Sequence, residues 1–264
     1  MRTAYPFLAQ ALALVFAGCA GGEVVSVSAR KDVEQKFLFI KHDQPAASVI
    51  LFPGGHGNLK LTGLGIGQYH NNFLVRTRSE FAAQGFNVAV VDTPSDHAGR
   101  FGLHNFRTSP EHVQDIKAVI AFLRERSNKP VWVIGTSRGT ISAANVAAGL
   151  EDGGPDGLIL TSSVFRSYSA TLKGAIASTE LEKIRVPTLF VHHKEDGCEI
   201  TSFADVERHM KMLSNAPRVE LISFEGGSAE VSKPCQALSR HGFIGIEEEV
   251  VKQIGDWIKT NSPR

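Results

Sequence analysis

Five residues, Gly135-Thr136-Ser137-Arg138-Gly139, join the apolar run Val131-Trp132-Val133-Ile134 to the Ala-rich stretch Thr140–Leu150. The run has the makeup of a strand buried on both faces, and the stretch that of a helix packed closely on a sheet. A chain that passes from one to the other so abruptly has to turn sharply, and small residues two before and two after the serine permit it. Such a turn lifts the Ser137 hydroxyl above the end of the sheet. There the Arg138 N–H and the N-terminal end of the helix face any developing negative charge. Ser137 is therefore the candidate nucleophile and Arg138 a candidate oxyanion donor.

The same alternation recurs along the chain. Apolar runs at Ala47–Phe52, Phe86–Val91, Leu158–Leu160, Thr188–Val191 and Val219–Ile222 lack polar alternation and end at turn residues, as strands buried on both faces do. Helical patterns lie between them. One covers Phe73–Ala83 and ends at Gly85. Another starts at Ser109-Pro110, an N-cap followed by proline at the first helical position. The stripe Ile246, Val250, Val251, Ile254, Trp257 and Ile258 marks a terminal helix. Strands alternating with helices predict an α/β fold, a mostly parallel twisted sheet with helices on both faces and right-handed crossovers. Residues 45–264 form the predicted domain, and 20–44 an N-terminal segment with one or two antiparallel strands within 23–42.

The first nineteen residues stand apart. Arg2 precedes an apolar run, Phe7–Ala17, too short to span a bilayer and laid out like an export signal. Ala17-Gly18-Cys19 resembles the end of a bacterial lipobox, with Cys19 as the lipidation site and membrane anchor, although Phe16 departs from the usual leucine. Cleavage with secretion, without lipidation, is the alternative, and a buried first helix a third. The expected location is periplasmic or envelope-anchored. Cys198 and Cys235 are the cysteines left, a candidate disulfide in an exported chain; two free buried thiols are the alternative. Lys and Arg total 28 against 27 Asp and Glu, with no basic tract, which argues against nucleic-acid partners. Oligomeric state is left open.

A serine hydroxyl needs a base, usually histidine, oriented by a carboxylate. Of ten histidines, His241 lies in the loop after the last strand and before the terminal helix, from where it can reach back over the sheet. Asp196, just past the strand ending at Val191, is the candidate acid, with Glu195 its neighbouring rival. Thr161–Arg166, after the preceding strand, has no carboxylate. Upstream, Pro53-Gly54-Gly55-His56-Gly57 follows the first central strand, and its glycines let backbone approach a reacting carbonyl. Gly55 is the first candidate for the second oxyanion donor and His56 the next.

The order Ser137, Asp196, His241, with the glycine turn upstream, resembles the α/β-hydrolase superfamily over roughly residues 45–260. The resemblance implies a Ser-His-Asp triad, acyl-enzyme chemistry and no metal or organic cofactor. Arg138 departs from the smaller or apolar residue that often follows the nucleophile. A cation in the first helical turn opposes the helix dipole, which suggests a structural salt bridge or, as the rival, attraction of an anionic substrate. A Cys198–Cys235 bond would tie the acid loop to the histidine loop.

Hydrolysis of a carboxylic ester is the expected reaction. Amide or peptide cleavage, acyl transfer on the same triad, and a catalytically silent envelope lipoprotein stay open. The loops Asn58–Asn72 and Thr93–Ser109 are expected over the site; their His70, Asp96, His97, Arg100, His104 and Arg107 lean toward a polar or anionic small-molecule substrate. The short stretch between Leu160 and Thr188 leaves room for a short helix and no large lid.

Overall fold

The computed structural model describes residues 22–167, 169 and 174–263; the segment expected to be an export signal and the lipidation reading of Cys19 lie outside them. The strands are β1 (Glu23–Arg30), β2 (Val33–Ile40), β3 (Ala47–Phe52), β4 (Phe86–Pro94), β5 (Val131–Thr136), β6 (Gly157–Thr161), β7 (Thr188–His193) and β8 (Val219–Phe224). They form one sheet in the order β1-β2-β4-β3-β5-β6-β7-β8. The pairs β1–β2 and β2–β4 are antiparallel, and every pair from β4 to β8 is parallel. The N-terminal strands expected within 23–42 are thus the edge of the same sheet.

Among the described residues six α-helices accompany the strands: α1 (Phe73–Arg76), α2 (Arg78–Ala83), α3 (Pro110–Ser127), α4 (Gly139–Gly149), α5 (Val206–Met210) and α6 (Glu247–Asn261). The helix expected over Phe73–Ala83 is broken at Thr77, whose buried hydroxyl donates to the Phe73 carbonyl and takes up an acceptor at the break. Ser109 caps α3 by accepting from the His112 N–H, with Pro110 at the first helical position. The strand read as ending at Val191 continues through His193, both histidines being buried with one ring nitrogen each at backbone and the His192 Nδ1 left without a partner. The His192 Nε2 accepts from the Ser163 N–H and His193 Nε2 lies 3.1 Å from the Gly226 carbonyl. Between β6 and β7 the described residues hold two short 3-10 turns, Ile176–Ser178 and Leu181–Lys183, where one short helix was expected.

Alternation along the central strands separates two cores. Ile50, Phe52, Val131 and Val133 face α3 and α4, while Val49, Leu51, Trp132 and Ile134 face α1, α2 and α6. The chain leaves β3 toward β4 on one side and later returns to β5 on the other. Loops after β3 and β5 therefore diverge, opening a crevice at the carboxyl ends of these strands, where open α/β sheets bind ligands.

Cys198, after β7, is bonded to Cys235, in the long loop between β8 and α6. The bond spans 37 residues and closes a loop worth about 4 kcal/mol in the chain-entropy account. Reduction, or Cys198→Ala with Cys235→Ala, is expected to lower the unfolding free energy by up to that amount, about 4 kcal/mol; denaturant melts of oxidised and reduced protein check it. Gly157, opposite Trp132 in the sheet, has the indole ring where a Cβ would lie. Gly157→Ala is expected to cost about 1–3 kcal/mol through overpacking, read in the same melts.

Candidate active site

Adjacent strands set the turn that carries Ser137. β3 and β5 pair in register, Phe52 beside Gly135, so the Pro53–Gly57 turn lies next to Thr136-Ser137-Arg138. A Cβ on Gly139 would strike the Phe52 and Pro53 carbonyls, and one on Gly135 the Gly139 carbonyl. Both glycines are therefore demanded by backbone contact. Between them Ser137 has φ 52°, a left-handed conformation that costs a side-chain-bearing residue roughly 1–2 kcal/mol. Its N–H donates to the Thr161 carbonyl at 3.0 Å, and its own carbonyl accepts from the Thr140 N–H and hydroxyl at 2.9 and 2.6 Å. These bonds hold the residue in place.

His241 sits in a 3-10 turn, Arg240–Gly242, after β8. The Ser239 hydroxyl accepts its N–H, and the Ser162 hydroxyl donates to its carbonyl at 2.8 Å, tying the turn to the end of β6. His241 Nδ1 lies 2.9 Å from Asp196 Oδ2. Asp196 also accepts from the Cys198 N–H at 3.0 Å and the Thr201 hydroxyl at 2.8 Å. Burial alone would raise this carboxyl, yet the His241 hydrogen bond and charge, with the Cys198 and Thr201 bonds, hold it below its ordinary value. A carboxylate at Nδ1 assigns the proton to that nitrogen and leaves the lone pair on Nε2. His241 Nε2 is buried without a hydrogen-bond partner.

Glu195, the rival acid, points away: it is exposed and its carboxylate lies 3.4 Å from Arg240. Thr201 escaped the sequence reading, since a threonine five residues past an acid carries no distinctive signal.

Ser137 and His241 line one cavity of about 200 Å³ with Gly54, Gly55, Tyr69, Asn72, Phe73 and the loop Cys235-Gln236-Ala237. A Cβ on Gly54 would come within 3.0 Å of the Ser137 Cβ, and one on Gly55 within 2.9 Å of the Tyr69 hydroxyl. Gly55 has φ 60°, so the turn needs glycine on both counts. Among the described residues, neither the Gly55 nor the Arg138 N–H donates to a protein acceptor. The His56 N–H faces the Tyr69 phenol; burial raises that phenol and the N–H partly offsets the rise. Cys235 in the cavity wall means that the disulfide shapes the site as well as joining its loops.

Arg138 does not make the salt bridge expected of it. Among the described residues no carboxylate pairs with it, and its side chain is nine-tenths buried with Nε and Nη1 unpartnered. Burial lowers its pKa, and burial followed by the Arg138 charge lowers that of His104. Arg107, expected at the surface of a loop over the site, is instead buried beneath the glycine turn. His192 is fully buried and pushed down to about 3 by desolvation, so it is neutral. Asp196, Cys198 and His241 offer ligand atoms within 4.8 Å of one another. With Cys198 in a disulfide and His241 Nδ1 bound to Asp196, that cluster is already committed.

No family profile and no curated protein sequence matches the chain. Solved structures do. DcsB, solved in complex with its substrate analogue, is similar over 92% of this chain and 100% of its own, with a TM-score of 0.64 at 13% identity. An esterase from Pyrococcus furiosus is similar over 92% of this chain and 91% of its own, with a TM-score of 0.62 at 16% identity. A thermophilic esterase from Thermogutta terrifontis, solved with butyrate bound, is similar over 90% of this chain and 94% of its own, with a TM-score of 0.59 at 18% identity. The strand order, the turn after β5 and these likenesses agree: the chain has the α/β-hydrolase fold.

Proposed function

We propose that the protein is a serine hydrolase that cleaves a carboxylic ester of a small molecule through an acyl-enzyme. The observation that carries this reading is the His241 ring, fixed at Nδ1 by Asp196, whose side chain is buried, left with an unpartnered Nε2, and lining the same cavity as Ser137. In this mechanism Nε2 takes the Ser137 proton as the oxygen attacks the ester carbonyl. Asp196 keeps the imidazole in the competent tautomer and stabilises its positive charge. The Gly55 and Arg138 N–H groups donate to the oxyanion between them. His241 then protonates the leaving alcohol and activates water to release the acid. Thr201 steadies the carboxylate and, through it, the ring.

The cavity of about 200 Å³ is small for a ligand pocket and favours a short acyl group. The Thermogutta terrifontis esterase of the same fold was solved with butyrate bound. Arg138, buried beside the nucleophile with two unpartnered nitrogens, favours an acyl donor that carries an anionic group. A charge left uncompensated in the interior is unfavourable, and a substrate carboxylate would relieve it. Release into the periplasm or anchoring at Cys19 is the location proposed with this activity.

A fluorophosphonate probe is expected to label Ser137 in folded protein and to leave Ser137→Ala unlabelled, read by peptide mass spectrometry. Asp196→Asn is expected to lower kcat roughly 10³–10⁴-fold with the fold intact, measured on a chromogenic ester series of varied chain length. Labelling elsewhere, or full activity in Ser137→Ala, would end the reading. On paired substrates of equal length, a dicarboxylic acid half-ester is expected to be preferred over the neutral ester. Arg138→Gln is expected to remove roughly tenfold or more of that preference, as loss of a charge-assisted hydrogen bond does. An unchanged ratio of kcat/KM values would remove the anionic substrate from the account.

A further inference from the structure

Arg107 is a charged side chain that the mechanism above leaves unused. It comes from the loop before α3, is 2% exposed, and has no carboxylate partner among the described residues. Burying a cation without a counter-ion is costly, so its contacts need a reason. Nη2 donates to the Pro53 carbonyl at 3.0 Å and to the Gly55 carbonyl at 3.3 Å, and Nη1 donates to the Ser142 hydroxyl at 2.7 Å. All three acceptors belong to the two segments that would supply the oxyanion donors, the turn after β3 and helix α4 behind Arg138. Room for the guanidinium is made by Gly57, where a Cβ would come within 2.8 Å of Nη2.

Backbone geometry gives these contacts a consequence. Peptide units are planar and trans, so fixing a carbonyl fixes the N–H on its other side. Held at the Pro53 and Gly55 carbonyls, the turn has its Gly54 and His56 N–H groups fixed, so the peptides on both sides of the Gly54–Gly55 peptide, whose N–H is the proposed donor, are anchored. Glycines rotate with little steric resistance, and the turn Pro53-Gly54-Gly55-His56-Gly57 carries no side chain at three of its five positions to resist rotation. A planar fork can hold two carbonyls and a hydroxyl at once, whereas an ammonium on a flexible stem cannot reproduce that spacing.

We propose that Arg107 is a positioning residue that holds the Pro53–Gly57 turn with the Gly55 N–H toward the reacting carbonyl, and that places positive charge beneath the developing oxyanion. This rests on the ester-hydrolase reading of Ser137. Burial and the neighbouring Arg138 lower Arg107 to about 9, which leaves it charged at neutral pH.

The test compares the unmodified protein with Arg107→Met and Arg107→Lys. Each is checked for folding by circular dichroism and thermal melting. Readouts are kcat and KM on the best ester, the rate of fluorophosphonate labelling, and the affinity of a boronic acid that forms a tetrahedral adduct on serine. In folded Arg107→Met, kcat and labelling rate are expected to fall on the order of 10²-fold, as misplacement by about 1 Å does. Boronate affinity should fall in parallel while KM changes little. Arg107→Lys, which keeps the charge and loses the fork, is expected to lie between the two. It carries the test alone if the methionine variant fails to fold. In Arg107→Ala, added guanidinium is expected to restore part of the rate.

Unchanged kcat and boronate affinity in a folded variant, with only the melting temperature lowered, would reduce Arg107 to a structural role and overturn the proposal. Failure of the unmodified protein to be labelled at Ser137 would overturn the ester-hydrolase reading itself, and this proposal with it.

Discussion

The contact between the turn after β5 and the end of β3 governs much else in the molecule. Because the strands pair with Phe52 beside Gly135, the first residue of α4 passes directly over the Phe52 carbonyl, and only glycine fits at 139. That approach leaves Ser137 in a left-handed conformation at the crevice where the chain changes direction across the sheet. Strain at such a residue persists only where its surroundings over-determine it. Here the Thr161 carbonyl on β6 and Thr140 on α4 do so. The sheet register thus sets where the hydroxyl points, and the loops beyond the strand ends have only to bring chemistry to it.

Those loops are held by different means, each suited to what it carries. The histidine turn is tied at its backbone by Ser162 and Ser239 and at its ring by Asp196. The acid loop is tied to it a second time by the Cys198–Cys235 bond, whose second cysteine also walls the cavity. The glycine turn has no disulfide and few side chains; the buried Arg107 guanidinium reaches up from beneath it. Around this turn the charge is one-sided. Burial first and then the Arg138 charge lower both Arg107 and His104, and Asp92 spends its carboxylate on the Leu59, Leu61 and Thr93 N–H groups. An environment of this sign suits a reaction that gathers negative charge on an oxygen.

Local chemistry in the sequence was enough to read the central strands β3 to β7, because strands buried on both faces show as apolar runs and their ends as Pro, Gly and Asp; Val219–Ile222, read the same way, is instead the half-buried edge strand β8, covered by a neighbour on one side only. The N-cap at Ser109 and the glycine after α2 were visible for the same reason. The break at Thr77 was not: it depends on a hydroxyl-to-carbonyl bond inside an otherwise regular helical pattern. Of the candidate site, Ser137, Gly55, Asp196 and His241 were legible from residue type and place after a strand. Thr201 and the cavity wall at Gln236-Ala237 were not, since nothing in their local sequence marks them. Arg138 and Arg107 misled in opposite ways. The first was expected to find a carboxylate and the second to stand at a surface, and both outcomes depend on how the loop before α3 folds under the glycine turn, a long-range contact with no local signature.

The most direct test of the account is a structure of the protein after reaction with a small phosphonate. The account predicts a bond from Ser137 Oγ to phosphorus, with the phosphoryl oxygen within hydrogen-bond distance of both the Gly55 and Arg138 N–H groups and His241 Nε2 facing the adduct. An adduct on another residue, or a phosphoryl oxygen turned away from both N–H groups, would contradict it.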